Sequence, residues 1–255
     1  MRAGSAARYA YVALWRVATK GWHAMIRSGA VFAAVTVLTG CAACCVARAA
    51  DTAISKVMGS IDIGADQHTG DVSTVNGSIH IGENAVVGQA DTVNGSISVA
   101  RHATAAKLVT VNGSIHLNEA VRVTGTVQAV NGSLTVANGA DVAGRLANVN
   151  GAIRVAAAHV GGLIDTVTGD IELGPNAHVD GGIHVEKDSN SSSWFHVWFW
   201  FWSDDTPRVV VGPGSVVGGT LSFERTVKLY VSDRATIGPV EGATAVRFSG
   251  DHPPR

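Results

Sequence analysis

Repeated polar positions are the first place to look for chemistry in this sequence of 255 residues. A motif of the form Val-Asn-Gly-Ser-Ile recurs, and the polar residue after its last aliphatic position changes from copy to copy. Glycoside hydrolysis needs two carboxylates about 5–10 Å apart, whereas the two carboxylates of this series lie six repeats apart. The series therefore predicts no catalytic pair. Its members are Asp62, His80, Ser98, His116, Thr135, Arg154 and Glu172.

The ten histidines are candidate metal ligands, but only if folding brings several of them together. His80 and His116 lie two repeats apart, about 10 Å at the usual strand spacing, which is too far for one ion. We assign four others to different positions of the repeat: His102, His159, His178 and His184. We therefore expect solvated histidines, with no metal site and no cofactor. Metalloprotease, nucleophile-elbow and phosphate-loop patterns do not occur, so we also expect no enzymatic activity.

The spacing of the motif predicts the fold. Its copies recur every 18 or 19 residues between Val57 and Val167, which is too short for a pair of helices and is typical of a solenoid. Within one copy, Val75, Gly77, Ile79 and Ile81 alternate with polar residues, as in a half-buried strand, so we expect these four to face the core. The sequence predicts an all-β, single-stranded parallel β-helix of about nine coils, each of 18–19 residues.

A weaker copy of the motif, V-x-G-x-[ILV], lies inside the later repeats, so each repeat contains two related edges. These copies begin at Val123, Val142, Val160 and Val179. The partner edge should follow Ile183 after seven residues, but Val209 comes 26 residues later. We therefore predict an insertion at 187–207, as a loop or hairpin. Leu229 to Ile237 still fits the coil pattern, and we expect Pro239 to break it.

Asparagine occupies one position in five copies of the motif. Stacked coils would place these residues in register, where side-chain amides can bond from coil to coil. We interpret them as a structural ladder rather than a ligand-binding surface. The following glycine predicts a bend, because glycine accepts a positive φ. The predicted ladder consists of Asn76, Asn94, Asn112, Asn131 and Asn150.

The predicted insertion carries four of the six tryptophans and three of the six phenylalanines. No alternation separates an inner from an outer face, so a protruding loop would expose the rings and form a contact surface. Its candidate partners are a membrane surface and an envelope glycan. The alternative is that the insertion folds back and covers the side of the solenoid. The candidate interaction residues are Trp194, Phe195, Trp198, Phe199, Trp200, Phe201 and Trp202.

Residues 1–49 resemble an export signal. A basic start is followed by 19 uncharged residues from Gly29 to Ala47, and then by an A-x-A site ending at Ala49. Met25 is an alternative start, and a retained transmembrane anchor is an alternative to cleavage. Leu-Thr-Gly before Cys41 resembles a lipoprotein box, so Cys41 is a possible lipidation site. We favour cleavage after Ala49, which releases a chain without cysteine.

The charge balance argues against nucleic acid as a partner. From Asp51 onward the chain has 13 basic and 20 acidic residues, a difference of −7. A nucleic-acid-binding surface needs clustered basic residues. An apolar fraction of 46% also excludes a disordered chain.

The coils resemble the bactofilins, the polymer-forming cytoskeletal proteins of bacteria, and more loosely the bacterial adhesin-like β-solenoid family. The resemblance covers about 57–185 and 209–245 and depends on the V-x-G-x-I edges and on Ile171-Glu-Leu-Gly-Pro-Asn-Ala177. It implies a right-handed β-helix that can join end to end. Bactofilins lack a cleaved export signal, which is where this chain departs from them.

Taken together, these features predict three regions: the export signal at 1–49, a solenoid at 50–245 and a polar tail at 246–255. We expect an exported, non-enzymatic protein of the bacterial periplasm or cell envelope. Its expected role is structural, polymer-forming or adhesin-like, with self-association as one possible contact. The alternative is a β-helix protein that binds or processes envelope polysaccharide.

Overall fold

The structure, a computed structural model, describes residues 52–187 and 206–253. Every regular element in these two ranges is a short β-strand, and all pairings between strands are parallel. These ranges contain no helix capable of crossing a membrane. The predicted all-β solenoid of parallel coils is confirmed. The predicted export signal, with Met25 and Cys41, and the aromatic residues 194–202 lie outside the described residues.

Each coil contributes up to three short strands, and each strand pairs with its equivalents in the neighbouring coils. We call the three resulting stacks the first, second and third columns. The first column is a ten-stranded sheet. Its strands are β2 (Ile61–Ile63), β5 (Ile79–Ile81), β7 (Ile97–Val99), β9 (Ile115–Leu117), β12 (Leu134–Val136), β15 (Ile153–Val155), β18 (Ile171–Leu173), β21 (Arg208–Val211), β24 (Lys228–Ser232) and β27 (Ala245–Phe248).

The second and third columns form one 17-stranded sheet, because β6 (Val86–Asn94) and β8 (Thr104–Asn112) run through both. The other strands of the second column are β3 (His68–Thr69), β10 (Arg122–Val123), β13 (Asp141–Val142), β16 (His159–Val160), β19 (His178–Val179), β22 (Val216–Val217) and β25 (Thr236–Ile237). The other strands of the third column are β1 (Ile54–Met58), β4 (Val72–Asn76), β11 (Val127–Asn131), β14 (Leu146–Asn150), β17 (Ile164–Thr166), β20 (Ile183–Val185), β23 (Leu221–Phe223) and β26 (Val240–Glu241).

The described chain has ten coils, one more than predicted. The tenth includes β26 and β27, so the expectation that Pro239 breaks the pattern is wrong. Pro239 lies between β25 and β26, and its carbonyl accepts a hydrogen bond from the Leu221 amide at 2.8 Å. Proline is tolerated there because only its carbonyl continues the coil-to-coil bonding. The strand β27 extends to Phe248, three residues into the range predicted as a polar tail.

The core is a continuous stack of aliphatic side chains. Ile79, Ile97 and Ile115 are fully buried, as the alternation predicted. Val75, however, is 40% exposed, so its predicted inward position is wrong. The residues of β4 that face inward are Val72 and Thr74, and the alternation changes phase at the corner between β4 and β5.

Candidate functional site

The Asn-Gly-Ser corner joins the third column to the first. Gly77, Gly95 and Gly113 are not among the glycines with a positive φ, so the bend does not explain them. A Cβ at these positions would lie 2.2, 1.9 and 2.1 Å, respectively, from the carbonyl oxygen of the glycine one coil earlier. Glycine is needed because the corners of successive coils touch through their backbones.

The predicted asparagines form a chain of hydrogen bonds along this corner, which we call the asparagine column. Each side-chain Nδ2 donates to the Oδ1 of the preceding asparagine. The distances are 2.9 Å from Asn94 to Asn76, 2.9 Å from Asn112 to Asn94, 3.0 Å from Asn131 to Asn112 and 3.0 Å from Asn150 to Asn131. In the next coil Thr168 donates its hydroxyl to Asn150, so the last free amide oxygen is also satisfied.

Serine and threonine support the corner in ways that the sequence analysis did not anticipate. The backbone amides of Ser96 and Ser114 donate to the hydroxyl of the serine one coil earlier, at 3.3 and 3.2 Å. The buried hydroxyls of Thr92 and Thr110 donate to the carbonyls of Gly77 and Gly95, both at 2.9 Å. The corner therefore contains few polar atoms left for a ligand, which favours a structural role for it.

The predicted insertion falls at the position of this corner in the sequence. The third-column strand β20 is followed by the first-column strand β21, where other coils have the short Asn-Gly-Ser turn, and residues 188–205 between them lie outside the described residues. Both flanks are attached to the coils: the Lys187 amide donates to Glu224 Oε2 at 3.3 Å, and the Arg208 amide donates to Asp170 Oδ1 at 2.8 Å. Val209, the residue predicted to begin the edge after the insertion, pairs with Ile171.

The outward series from Asp62 to Glu172 lies in register along the first column, as predicted. Near its end, Thr135, Arg154 and Glu172 line a shallow depression of about 360 Å³. Arg154 forms an ion pair with Glu172 at 3.5 Å. Glu172 is the one carboxylate among the residues lining the depression, so this site lacks the pair that glycoside hydrolysis needs.

Histidine and aspartate meet on the second column, in a group that we call the histidine–aspartate cluster: Asp141, His159, His178 and Asp180. His159 and His178 are direct partners in β16 and β19, so their assignment to different positions of the repeat is wrong. Each precedes the buried valine of the weaker motif, Val160 or Val179, and that shared position was a signal in the sequence.

The distances within the cluster are those of hydrogen bonds. His159 Nδ1 lies 2.8 Å from Asp141 Oδ1, and His159 Nε2 lies 3.0 Å from Asp180 Oδ2. His178 Nε2 lies 3.0 Å from Asp180 Oδ1. The two imidazole ring centres are 5.6 Å apart. Asp180 is thus placed between two imidazoles, with one carboxylate oxygen toward each.

The carboxylates change the protonation of the cluster. Hydrogen bonds to Asp141 and then to Asp180 raise the pKa of His159 above its ordinary value. The hydrogen bond from His159 lowers the pKa of Asp180 below its ordinary value. Arg122 lies 3.8 Å from Asp141 and adds a weak ion pair on the opposite side. The charged side chains of the cluster therefore lie at the surface and stay partly exposed to solvent.

A second histidine lies between carboxylates on the third column. His184 Nδ1 is 3.2 Å from Asp165 Oδ1, and His184 Nε2 is 3.5 Å from Glu224 Oε1. Arg145 also approaches Asp165, at 3.7 Å. Here one imidazole is shared by two carboxylates, as His159 is, but the histidine–aspartate cluster also brings a second imidazole to one of its carboxylates.

Comparison of the chain with protein-family models, with curated proteins and with solved structures found no match. The structure and its chemistry are therefore the basis for assigning a function.

Proposed function

We propose that this protein is a structural, non-enzymatic β-solenoid that self-associates through its ends, in the periplasm or envelope of a bacterial cell. The observation that carries the proposal is an unpaired strand edge in the first coil. Its strand β1 pairs with β4 along one edge, and no strand among residues 52–187 and 206–253 pairs with the other edge. Unpaired strand edges are the surfaces through which β-proteins associate.

The side chains of the first coil support this contact. Val57 is 71% exposed, whereas its equivalents in the next two coils, Val75 and Val93, are each 40% exposed. Met58 is 78% exposed and stands where the next coils have asparagine. A further coil stacked on β1 would cover part of both side chains. At the other end β27 pairs only with β24 among the described strands, and Val246 is exposed.

Export is the second part of the proposal and depends on the pattern of residues 1–49. The aromatic residues 194–202 are the proposed site of a further contact, with a membrane surface or an envelope glycan. Their place in the sequence between β20 and β21 supports this, because both described flanks are bonded to the coils and the solenoid continues on either side.

Sedimentation velocity over a range of concentrations tests self-association. We would compare the chain from residue 50 onward with Val57→Lys/Met58→Lys, and use Val86→Lys as a control because Val86 is exposed on the side of the solenoid. We expect the parent and the control to associate and the double variant to remain monomeric. A parent that is monomeric at every concentration, or a double variant that associates as the parent does, would contradict the proposal.

A further variant identifies which ends meet. Val246→Lys changes only the last coil, at an exposed position. If this variant also fails to associate, first and last coils join head to tail and the product is a polymer. If only the Val57→Lys/Met58→Lys variant fails, two first coils meet and the product is a dimer.

A further inference from the structure

We propose that His159, His178 and Asp180 form a binding site for a divalent transition-metal ion such as Zn²⁺. The proposal is independent of self-association, because the site lies on the second column and away from both ends of the solenoid. One atom from each residue is a suitable ligand, and these three atoms all lie within 4.8 Å of one another. They come from adjacent coils whose register is fixed by the backbone.

The distances fit a shared ion after small side-chain rotations. Zn²⁺ binds imidazole nitrogen at about 2.0–2.1 Å and carboxylate oxygen at about 2.0–2.2 Å. Both imidazole Nε2 atoms are already 3.0 Å from an oxygen of Asp180. Replacing the protons on those nitrogens by one cation requires no change in the backbone of β16 or β19.

Asp141 completes the site as a positioning residue. It accepts a hydrogen bond from His159 Nδ1 at 2.8 Å, which leaves Nε2 as the ligand atom. Metal-ligating histidines commonly have this arrangement, in which a carboxylate fixes the tautomer and orientation of the ring. Asp141 precedes Val142 at the same position of the motif as His159 and His178, so the same stacking aligns all three side chains.

The ligand set determines which ions fit. Two imidazoles with one carboxylate suit Zn²⁺, Co²⁺, Ni²⁺ or Cu²⁺, whereas Mg²⁺ and Ca²⁺ prefer sites made of oxygen ligands. The three side chains are about half exposed, with exposed fractions of 42%, 50% and 53%. The open side leaves room for water to complete the coordination of the ion.

A bound ion would link two coils across a short strand pair. The strands β16 and β19 are two residues long, and the cross-coil backbone bonds there include His178 to Ala158 and Asp180 to Val160, both at 2.9 Å. His159 belongs to one coil, and His178 and Asp180 to the next. Metal coordination across this boundary would therefore stabilise the stacking of the two coils.

Calorimetric titration of the full chain with Zn²⁺ alone, and absorption spectroscopy with Co²⁺ alone, test the site. Cys41, Cys44 and Cys45 would be replaced by Ser in every version, since thiolates bind the same ions. We expect His178→Ala and Asp180→Asn each to weaken binding at least tenfold. Asp141→Asn should weaken it about 10- to 100-fold while keeping all three ligands.

His184→Ala is the matched control, because His184 is also bonded to carboxylates but is not part of the ligand set. We expect it to bind as tightly as the parent. Equal affinity in the parent and His178→Ala, or equal losses in His178→Ala and His184→Ala, would overturn the proposal. Circular dichroism would show that each variant is folded, and Asp141→Asn serves as the test if His178→Ala does not fold.

Discussion

The asparagine column and the histidine–aspartate cluster are built by the same stacking of equivalent positions, but the chemistry of the stacked residues differs. An amide both donates and accepts, so identical residues can bond to one another from Asn76 to Asn150. Ionised carboxylates only accept hydrogen bonds and repel one another, so stacked aspartates need a donor such as an imidazole between them. On the second column Asp141, His159 and His178 occupy successive equivalent positions and Asp180 lies beside both imidazoles, so this group offers the ligand atoms of the proposed metal site.

The two groups differ in how many of their side-chain polar atoms are used in bonds between coils. The asparagine column occupies its donors and acceptors in bonds between coils, and its glycines allow close backbone approach. The residues of the histidine–aspartate cluster also bond to the preceding coil through their backbone amides, but their side-chain polar atoms stay near solvent. Regular repetition stabilises the rod, and local departures from repetition supply sites for other chemistry.

The largest predicted effect comes from breaking the backbone contact beneath the asparagine column. In Gly113→Ala, the new Cβ would lie 2.1 Å from the Gly95 carbonyl oxygen, so adjacent coils must separate. We expect a loss of unfolding free energy on the order of 3 kcal/mol or more. Urea unfolding followed by circular dichroism measures it.

The matched control for this substitution is Gly174→Ala, where the nearest backbone atom would be 3.3 Å from the new Cβ. We expect the control to lose less than about 1 kcal/mol. Similar losses in the two variants would show that close packing at the corner is not the reason for glycine.

The second effect comes from the ladder itself. Asn112→Ala removes two side-chain hydrogen bonds, one to Asn94 and one from Asn131. We expect a loss of about 1–2 kcal/mol, since each bond contributes roughly 1 kcal/mol. Asn76→Ala removes only the bond from Asn94 and should lose about half as much. Thermal and urea unfolding of the two variants would be compared, and equal losses would argue against a ladder.

A smaller effect is expected from His159→Ala in the presence of a chelator. The variant loses contacts with Asp141 and Asp180, but these side chains are about half exposed, so we expect a smaller loss of unfolding free energy than in Asn112→Ala. This loss of unfolding free energy should be smaller still in 1 M salt, because the screening length for exposed charges is then only about 3 Å. The loss in Asn112→Ala should not change, and this contrast separates ionic from amide stacking. A salt-independent loss in His159→Ala would contradict the ionic interpretation.

The smallest predicted effect on stability comes from the carboxylate of Asp91, which belongs neither to the asparagine column nor to the histidine–aspartate cluster. Asp91 stacks between Ser73 and Val109 on the third column, and burial raises its pKa above the ordinary value. The hydrogen bond from Gln89 offsets part of this effect. A raised folded-state pKa means that the ionised group lowers stability at neutral pH. This penalty disappears as pH falls through the folded-state pKa toward the unfolded one.

Asp91→Asn should therefore raise the thermal midpoint at pH 7 by about 1–3 °C. The difference from the parent should become smaller between the folded-state pKa and the ordinary value for aspartate. Calorimetric scans from pH 7 to pH 3 measure this dependence. A difference that grows toward acid pH would show that the Asp91 carboxylate stabilises the folded chain instead.

Much of the fold could be predicted because a constant repeat fixes strand register. Equivalent residues such as Ile79 and Ile97 must stack once the chain is a solenoid. The outward position of Val75 could not be predicted from alternation, since the corner changes the phase of the strand pattern. The requirement for glycine was predicted for the wrong reason at Gly77, Gly95 and Gly113, where it depends on how closely the coils approach, whereas Gly151 does have the predicted positive φ, at 120°.

The histidine–aspartate cluster could be predicted only in part. His159 and His178 share a position before the valine of the weaker motif, so their stacking follows from an alignment of those copies. Asp180 lies beyond the end of β19, and its contact with both imidazoles depends on the path of the turn. A sequence pattern does not specify that path.

The most direct test of the account is a distance between spin labels at Asp62 and Glu172, with Cys41, Cys44 and Cys45 replaced by Ser. Both positions are exposed on the first column, and six successive strand pairings join them. Six steps at the usual strand spacing of about 4.8 Å predict a narrow distribution of label-to-label distances centred near roughly 29 Å. The flexibility of the labels adds to its width. A broad distribution, or one centred beyond about 40 Å, would contradict coils stacked in register.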